Sequence, residues 1–282
     1  MSNVERLPLL ALALAIGASC SDPVRATETA SRADVTDGIR MGVSTAGARF
    51  VQTIAGFNDP ESVRYDPEQD VFFVSNMNGL GSQKDTNGYI VRAQAADPRN
   101  MSLFVVGGPG VELHAPKGMA IQGDTLWVTD IDVVRGYDRR SGKPVGTIDF
   151  AAHRPVMLND VAAGPDGTLR VTDTGILMVY EGNKHVGGDR VFAVEPGRRV
   201  RVVAQGPQLR LPNGIAWSAR DSAWIVVSFD PFHGDVAALR GERDPRRLLH
   251  HAKGRLDGLA VLDDGRILFT SWADSTLHLL DG

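Results

Sequence analysis

Five short segments of the chain share one pattern and return at intervals of 56, 42, 54 and 44 residues. They are Pro60-Glu61-Ser62-Val63, Pro116-Lys117-Gly118-Met119, Leu158-Asn159-Asp160-Val161, Pro212-Asn213-Gly214-Ile215 and Leu256-Asp257-Gly258-Leu259. Each is followed by a turn: Asp66-Pro67, Gly123-Asp124, Asp166-Gly167, Arg220-Asp221 and Asp264-Gly265. Asp-Gly between apolar runs is a strong hairpin signal. Each turn leads into a second apolar stretch: Val71–Asn76, Thr125–Asp130, Leu169–Asp173, Trp224–Ser228 and Ile267–Ser271. A third stretch mixes polar and apolar residues, as in Gly88–Val91 and Arg190–Val194. A period of about 40–50 residues built from short strands predicts β-propeller blades. One such unit cannot bury both faces of its sheet, but units stacked around an axis can.

The competing architectures fit less well. A parallel α/β sheet needs helical patterns of about 10–15 residues between strands, and none appears. The expectation is therefore an all-β propeller domain over residues 49–282 with five recognisable blade starts and a short C-terminus. The fifth unit reaches Gly282 after about three strands. Residues 49–57, beginning Arg49-Phe50-Val51-Gln52-Thr53-Ile54, read as a strand that would complete the last blade. Either five blades close the ring, or a sixth of about 45 residues lies outside this chain.

The N-terminus reads as an address. Residues 1–26 resemble an export signal, with Leu7 to Ala18 as an apolar run. That run is too short for a membrane span of about 20 helical residues. Cleavage is expected either after Val24-Arg25-Ala26 or before Cys20, where Gly17-Ala18-Ser19-Cys20 resembles a bacterial lipoprotein box. The protein is thus expected to be periplasmic, lipid-anchored or secreted, touching a membrane only through a lipid on Cys20. Residues 27–48, rich in Thr, Ala, Ser and Gly, read as a tether. Cys20 is the single cysteine, which excludes a disulfide framework and cysteine-based zinc or iron–sulfur centres. A net charge of −4 argues against a nucleic-acid partner. A monomer is expected.

One polar position recurs at the start of each innermost strand: Glu61, Lys117, Asn159, Asn213 and Asp257. Innermost strands line a propeller's central channel, so these side chains converge. Two carboxylates and two amides make a hard oxygen donor set suited to calcium or magnesium, and unsuited to zinc or copper. The alternative is that such residues merely bond loop backbone. The ends of the second strands, Asn76, Asp130, Asp173, Ser228 and Ser271, form another phase, read as tying blades together.

Four of the segments, those beginning at Pro60, Leu158, Pro212 and Leu256, with Gly164-Pro165-Asp166-Gly167 and Ala216-Trp217, resemble the senescence-marker-protein/gluconolactonase/luciferin-regenerating-enzyme-like family of six-bladed propellers. The resemblance covers residues 49–282. It implies one divalent metal on the axis held by Glu61, Asn213 and Asp257, with Asn159 binding substrate or completing the metal shell. Calcium is the first choice, magnesium or manganese the alternatives. It also implies a lactonase or esterase acting on a small molecule. Two departures stand out. The first blade has Glu-Ser-Val where the family usually has Glu-Gly-Pro. The second blade has Lys117, near where paraoxonase-like relatives carry a catalytic histidine. Lys117 could bind a substrate carboxylate, act as a base with a lowered pKa, or form a plain salt bridge to Glu61 or Asp257. His114 is a weaker candidate for proton transfer.

The implied mechanism is metal polarisation of a lactone or ester carbonyl, with water deprotonated by Asp257 first or Asp160 second. No Gly-x-Ser-x-Gly elbow or phosphate-binding loop is present. A different reading is an exported binding scaffold without catalysis. The two differ at the channel mouth, where an enzyme needs an apolar pocket. Insertions at 77–88 and 175–190, with Met77, Leu80, Ile176, Leu177 and Met178, could wall one.

Overall fold

The computed structural model describes residues 51–241, 245–251 and 253–281. The expected export signal, Cys20 and the tether lie outside the described residues, as does Gly282.

The innermost strands begin at the five repeated segments. Blade 1 is β1 (Pro60–Asp66), β2 (Val71–Asn76), β3 (Tyr89–Gln94) and β4 (Met101–Val106), paired in that order. Blade 2 is β5 (Pro116–Gln122), β6 (Thr125–Asp130), β7 (Val133–Asp138) and β8 (Pro144–Asp149). Blade 3 begins with β9 (Leu158–Ala163) and β10 (Leu169–Asp173). A separate hairpin then departs, β11 (Ile176–Val179) with β12 (Gly182–His185), before β13 (Arg190–Val194) and β14 (Val200–Gln205) complete the sheet. Blade 4 is β15 (Pro212–Ser218), β16 (Ala223–Ser228), β17 (Gly234–Leu239) and β18 (Arg246–His251). Blade 5 has three strands: β19 (Leu256–Val261), β20 (Ile267–Ser271) and β21 (Thr276–Leu280).

The second strands explain the stacking. Alternate side chains of a strand face opposite sides of its sheet. In β6, Leu126 and Val128 pack against blade 1 while Trp127 packs toward blade 3. In β16, Trp224 and Val226 face blade 3 while Ala223, Ile225 and Val227 face blade 5. Each interface buries aromatic and branched residues such as Phe73, Phe192, Trp224 and Phe269, each contributing roughly 1.5–3 kcal/mol on full burial. Four such interfaces join five blades. Innermost strands pack side by side from β1 to β5, β9, β15 and β19. Among the described residues β19 and β1 make no comparable contact, so a seam separates blade 5 from blade 1.

One expectation is corrected here. Residues 51–57 form no strand, so nothing from that stretch adds to blade 5. Val51, Ile54 and Phe57 recur every third residue rather than every second, and a strand without a partner to pair with is not stable alone.

Candidate functional site

The five recurrent polar residues each occupy the second position of an innermost strand. At that position every blade breaks register with its second strand. The shifts fall between Pro60 and Ser62, Pro116 and Met119, Pro212 and Ile215, and Leu256 and Leu259, and opposite Asn159 between Val171 and Asp173. A bulge bends the strand and re-aims the side chain of the unpaired residue. Here it frees Glu61, Asn159, Asn213 and Asp257 to line two cavities at once, one at each end of the axis.

Hydroxyls on the second strands fix the backbone of these residues from the neighbouring blade. Ser75 Oγ donates to the carbonyl of Lys117 at 2.7 Å, Thr129 Oγ1 to that of Asn159 at 2.6 Å, and Thr172 Oγ1 to that of Asn213 at 2.7 Å. Blade 4 has Val227 in the equivalent place, so Asp257 receives no such bond. Thr270 of blade 5 accepts from Gly258 N–H at 2.8 Å, and among the described residues it makes no hydrogen bond to Glu61. The strand ends expected to tie blades together work within a blade instead. Asp130 accepts from His114 and Ala115 N–H, Asp173 from Val156 and Met157 N–H, and Asn76 from Asn58 N–H. In blades 1 to 3 a tie to the next blade comes from the residue just before these ends, Ser75, Thr129 and Thr172.

Above the ring lies a cavity of 310 Å³. All five recurrent residues reach it, Lys117 included. Its walls are Phe57, Met77, Met157, Ile176, Met178, Phe229 and Trp272. Both insertions contribute, and they meet: Met178 N–H donates to Ser82 Oγ at 2.9 Å. Leu80 and Leu177 do not line it. Lys117 is almost fully buried, and its Nζ donates to the carbonyls of Gly81 at 2.8 Å and Ala115 at 3.0 Å. The ammonium is thus held by backbone rather than by the salt bridge the sequence allowed. Burial pushes its pKa down, while the charges of Glu61 and Asp130 push it back up.

Two carboxylates share this ring. Burial raises the pKa of Glu61 well above the usual range, and the charge of Asp257 raises it further, against the pull of Lys117. Burial raises Asp257 too, opposed by hydrogen bonds from Trp272 and Asn213. Like charges held together at the end of a confined cavity favour a positive ion between them. With the amides of Asn159 and Asn213 at the same surface, the donors are all oxygen, which fits a hard divalent cation.

Asp160 is separated from this mouth. It lines only the second cavity, of 230 Å³, together with Arg64 and Tyr65. Its oxygens accept from Val161 N–H at 2.8 Å and from Ile215 N–H of blade 4 at 2.9 Å. Burial raises its pKa to about 6, with Arg64 opposing. His114 stays in its loop, its Nδ1 accepting from Thr86 N–H at 3.0 Å, and it does not line the upper cavity. Trp272 is the residue that sequence reasoning missed. Its indole N–H donates to Asp257 Oδ2 at 2.7 Å, and its ring meets Phe229 edge-on at 5.5 Å. It directly follows Ser271, and the Ser-Trp pair at a second-strand end was the available signal.

The family model described as the SMP-30/gluconolactonase/LRE-like region matches residues 59–282. A solved structure described as a candidate gluconolactonase superposes with a TM-score of 0.58 at 18% identity, covering 80% of this chain and 75% of the other. At that identity the likeness speaks for the fold. No curated protein matches the chain significantly.

Proposed function

Since the chain belongs to the SMP-30/gluconolactonase/LRE-like family, we propose that it is a divalent-metal-dependent hydrolase of a lactone or ester. The observation that carries this is the meeting of Glu61, Asn159, Asn213, Asp257 and Lys117 at one apolar-walled cavity. An apolar pocket beside a polar cluster is what a small-molecule site requires, and it favours catalysis over a flat binding face.

Glu61, Asn159, Asn213 and Asp257 are the residues that would hold the cation. When bound, it supplies Lewis acidity toward a carbonyl oxygen and charge for the developing oxyanion. Asp257 takes the proton of the attacking water. Trp272 anchors one oxygen of that carboxylate and so orients it toward the cavity. Asp160 ranks behind it, since its oxygens are occupied by backbone N–H groups and it borders the far cavity. Asn159 bonds the substrate or completes the donor set. Lys117 brings positive charge to the wall, where it can attract a carboxylate on the substrate or on the product. Met77, Ile176 and Met178 exclude bulk water.

A panel of lactones and esters assayed with calcium tests the reading, beside calcium calorimetry on wild type and Glu61→Gln. Asp257→Ala is expected to lower turnover by at least about 100-fold while circular dichroism stays unchanged. Full activity in that variant sinks the proposal. Export is part of the same reading, and the N-terminal mass of the mature chain distinguishes cleavage after Ala26 from processing at Cys20.

A further inference from the structure

Away from the axis, two imidazoles and a carboxylate meet where blade 4 touches blade 5. His251 ends β18, His278 sits in β21, and Asp274 lies in the turn before β21. One ligand atom from each lies within 4.8 Å of the others. His251 Nε2 is 3.4 Å from Asp274 Oδ2, and His278 Nε2 is 3.2 Å from the same oxygen. Tetrahedral zinc with ligand bonds of about 2.0–2.1 Å sets its donors about 3.3 Å apart. The two histidine–carboxylate separations match that edge, and all three donor atoms lie within 4.8 Å of one another.

The rings are held for this. Phe269 stacks on His278, with centroids 5.0 Å apart and planes 16° from parallel, and meets His251 edge-on at 6.5 Å. The two imidazoles lie 4.6 Å apart. Nδ1 of His251 is buried without a partner, so its polar contact is made through Nε2. All three side chains are at least three-quarters buried, yet each keeps some access to solvent. Lys253 approaches Asp274 only to 3.9 Å and is itself largely exposed, so it is free to swing away from an incoming cation.

We propose that His251, Asp274 and His278 form a second metal site, selective for zinc or a similar borderline transition ion. Its two nitrogens and one oxygen differ in kind from the all-oxygen set at the axis. Three protein ligands leave a fourth position for water. The site joins the outer strand of blade 4 to the outer strand and turn of blade 5. It therefore clamps the three-stranded blade to its neighbour at the rim, where β21 has one unpaired edge.

The test uses the full chain with excess calcium present to fill the axis, titrated with Co2+ and followed by visible absorption. One equivalent of Co2+ should give the intense bands of a low-coordinate ion, and Zn2+ should abolish them stoichiometrically. His278→Gln should weaken this binding at least tenfold, with Asp274→Asn as the second variant should the first fail to fold. Glu61→Gln should retain the bands unchanged. Zn2+ should also raise the melting temperature of wild type and leave that of His278→Gln unmoved. Absence of low-coordinate bands in folded wild type, or bands that survive both rim variants, would overturn the proposal.

Discussion

Glu61 shows how a single residue reports on the burial and charge around it. Its carboxyl is held above the ordinary glutamate range, first by burial and then by Asp257. The folded chain therefore binds this proton more tightly than the unfolded chain. The metal-free protein should be fully stable with respect to this group at low pH and lose stability as pH rises through the raised pKa. The slope is at most about 1.4 kcal/mol per pH unit for one proton. Glu61→Gln should flatten it, raising the metal-free melting temperature near neutral pH while removing the response to calcium. Thermal melts from pH 4 to 8 in chelator test this, and a lower metal-free stability for Glu61→Gln at neutral pH contradicts it. Trp272 gives a second expectation. Trp272→Phe keeps the wall and removes the bond to Asp257, so it should reduce turnover about 10–100-fold. A change in KM alone would speak against a positioning role.

At the scale of the element, what was legible was whatever repeats. The starts of β1, β5, β9, β15 and β19 coincide with the five sequence segments, and four of the five second strands match residue for residue. The fourth, β16, begins one residue earlier, at Ala223. The hairpin β11–β12 was not legible as strands, because Gly182-Asn183-Lys184-His185 carries no apolar residue and becomes a strand only by pairing with Ile176–Val179. The contribution of Met77, Ile176 and Met178 was legible because large apolar residues in long insertions need something to cover. The exclusion of Leu80 and Leu177 was not, since it depends on where the loops fold back. Asp160 could not be separated from Asn159 by sequence, because one step along a bulged strand decides which cavity a side chain meets. The hydroxyl ties were equally hidden, since Ser75, Thr129 and Thr172 look like ordinary strand residues. Thr129→Val tests their worth. Val227 shows that the position accepts this shape in blade 4, so the loss isolates the hydrogen bonds and should cost about 1–3 kcal/mol. The midpoint of urea unfolding reads it.

At the scale of the molecule, five blades share four cores, and a seam remains between the fifth and the first. Glu61 stands on one side of that seam and Asp257 on the other, on β1 and β19. A cation shared between them would bridge what the apolar interfaces leave unbridged. Calcium at about 100 times its Kd should therefore stabilise the fold by roughly 2.7 kcal/mol through mass action. A chelator should reverse this, and differential scanning calorimetry measures both. An unchanged transition would mean that the ring's carboxylates do not bind calcium in the native state.

The hydroxyl ties have a direction, and heredity would feel it. Each one starts in one blade and ends on the axis residue of the next, as from Thr129 to Asn159, 30 residues downstream. A lesion in one repeat is thus expressed at the site residue of the following repeat. In an unbiased screen for loss of activity, alleles of Thr129 should group with alleles of Asn159, and alleles of Thr172 with those of Asn213. Asp257 stands outside this inheritance, because Val227 passes nothing on. Blade 5 must supply its own support, through Trp272. Lesions in blade 4 are therefore not passed through this route to the axis residue of blade 5.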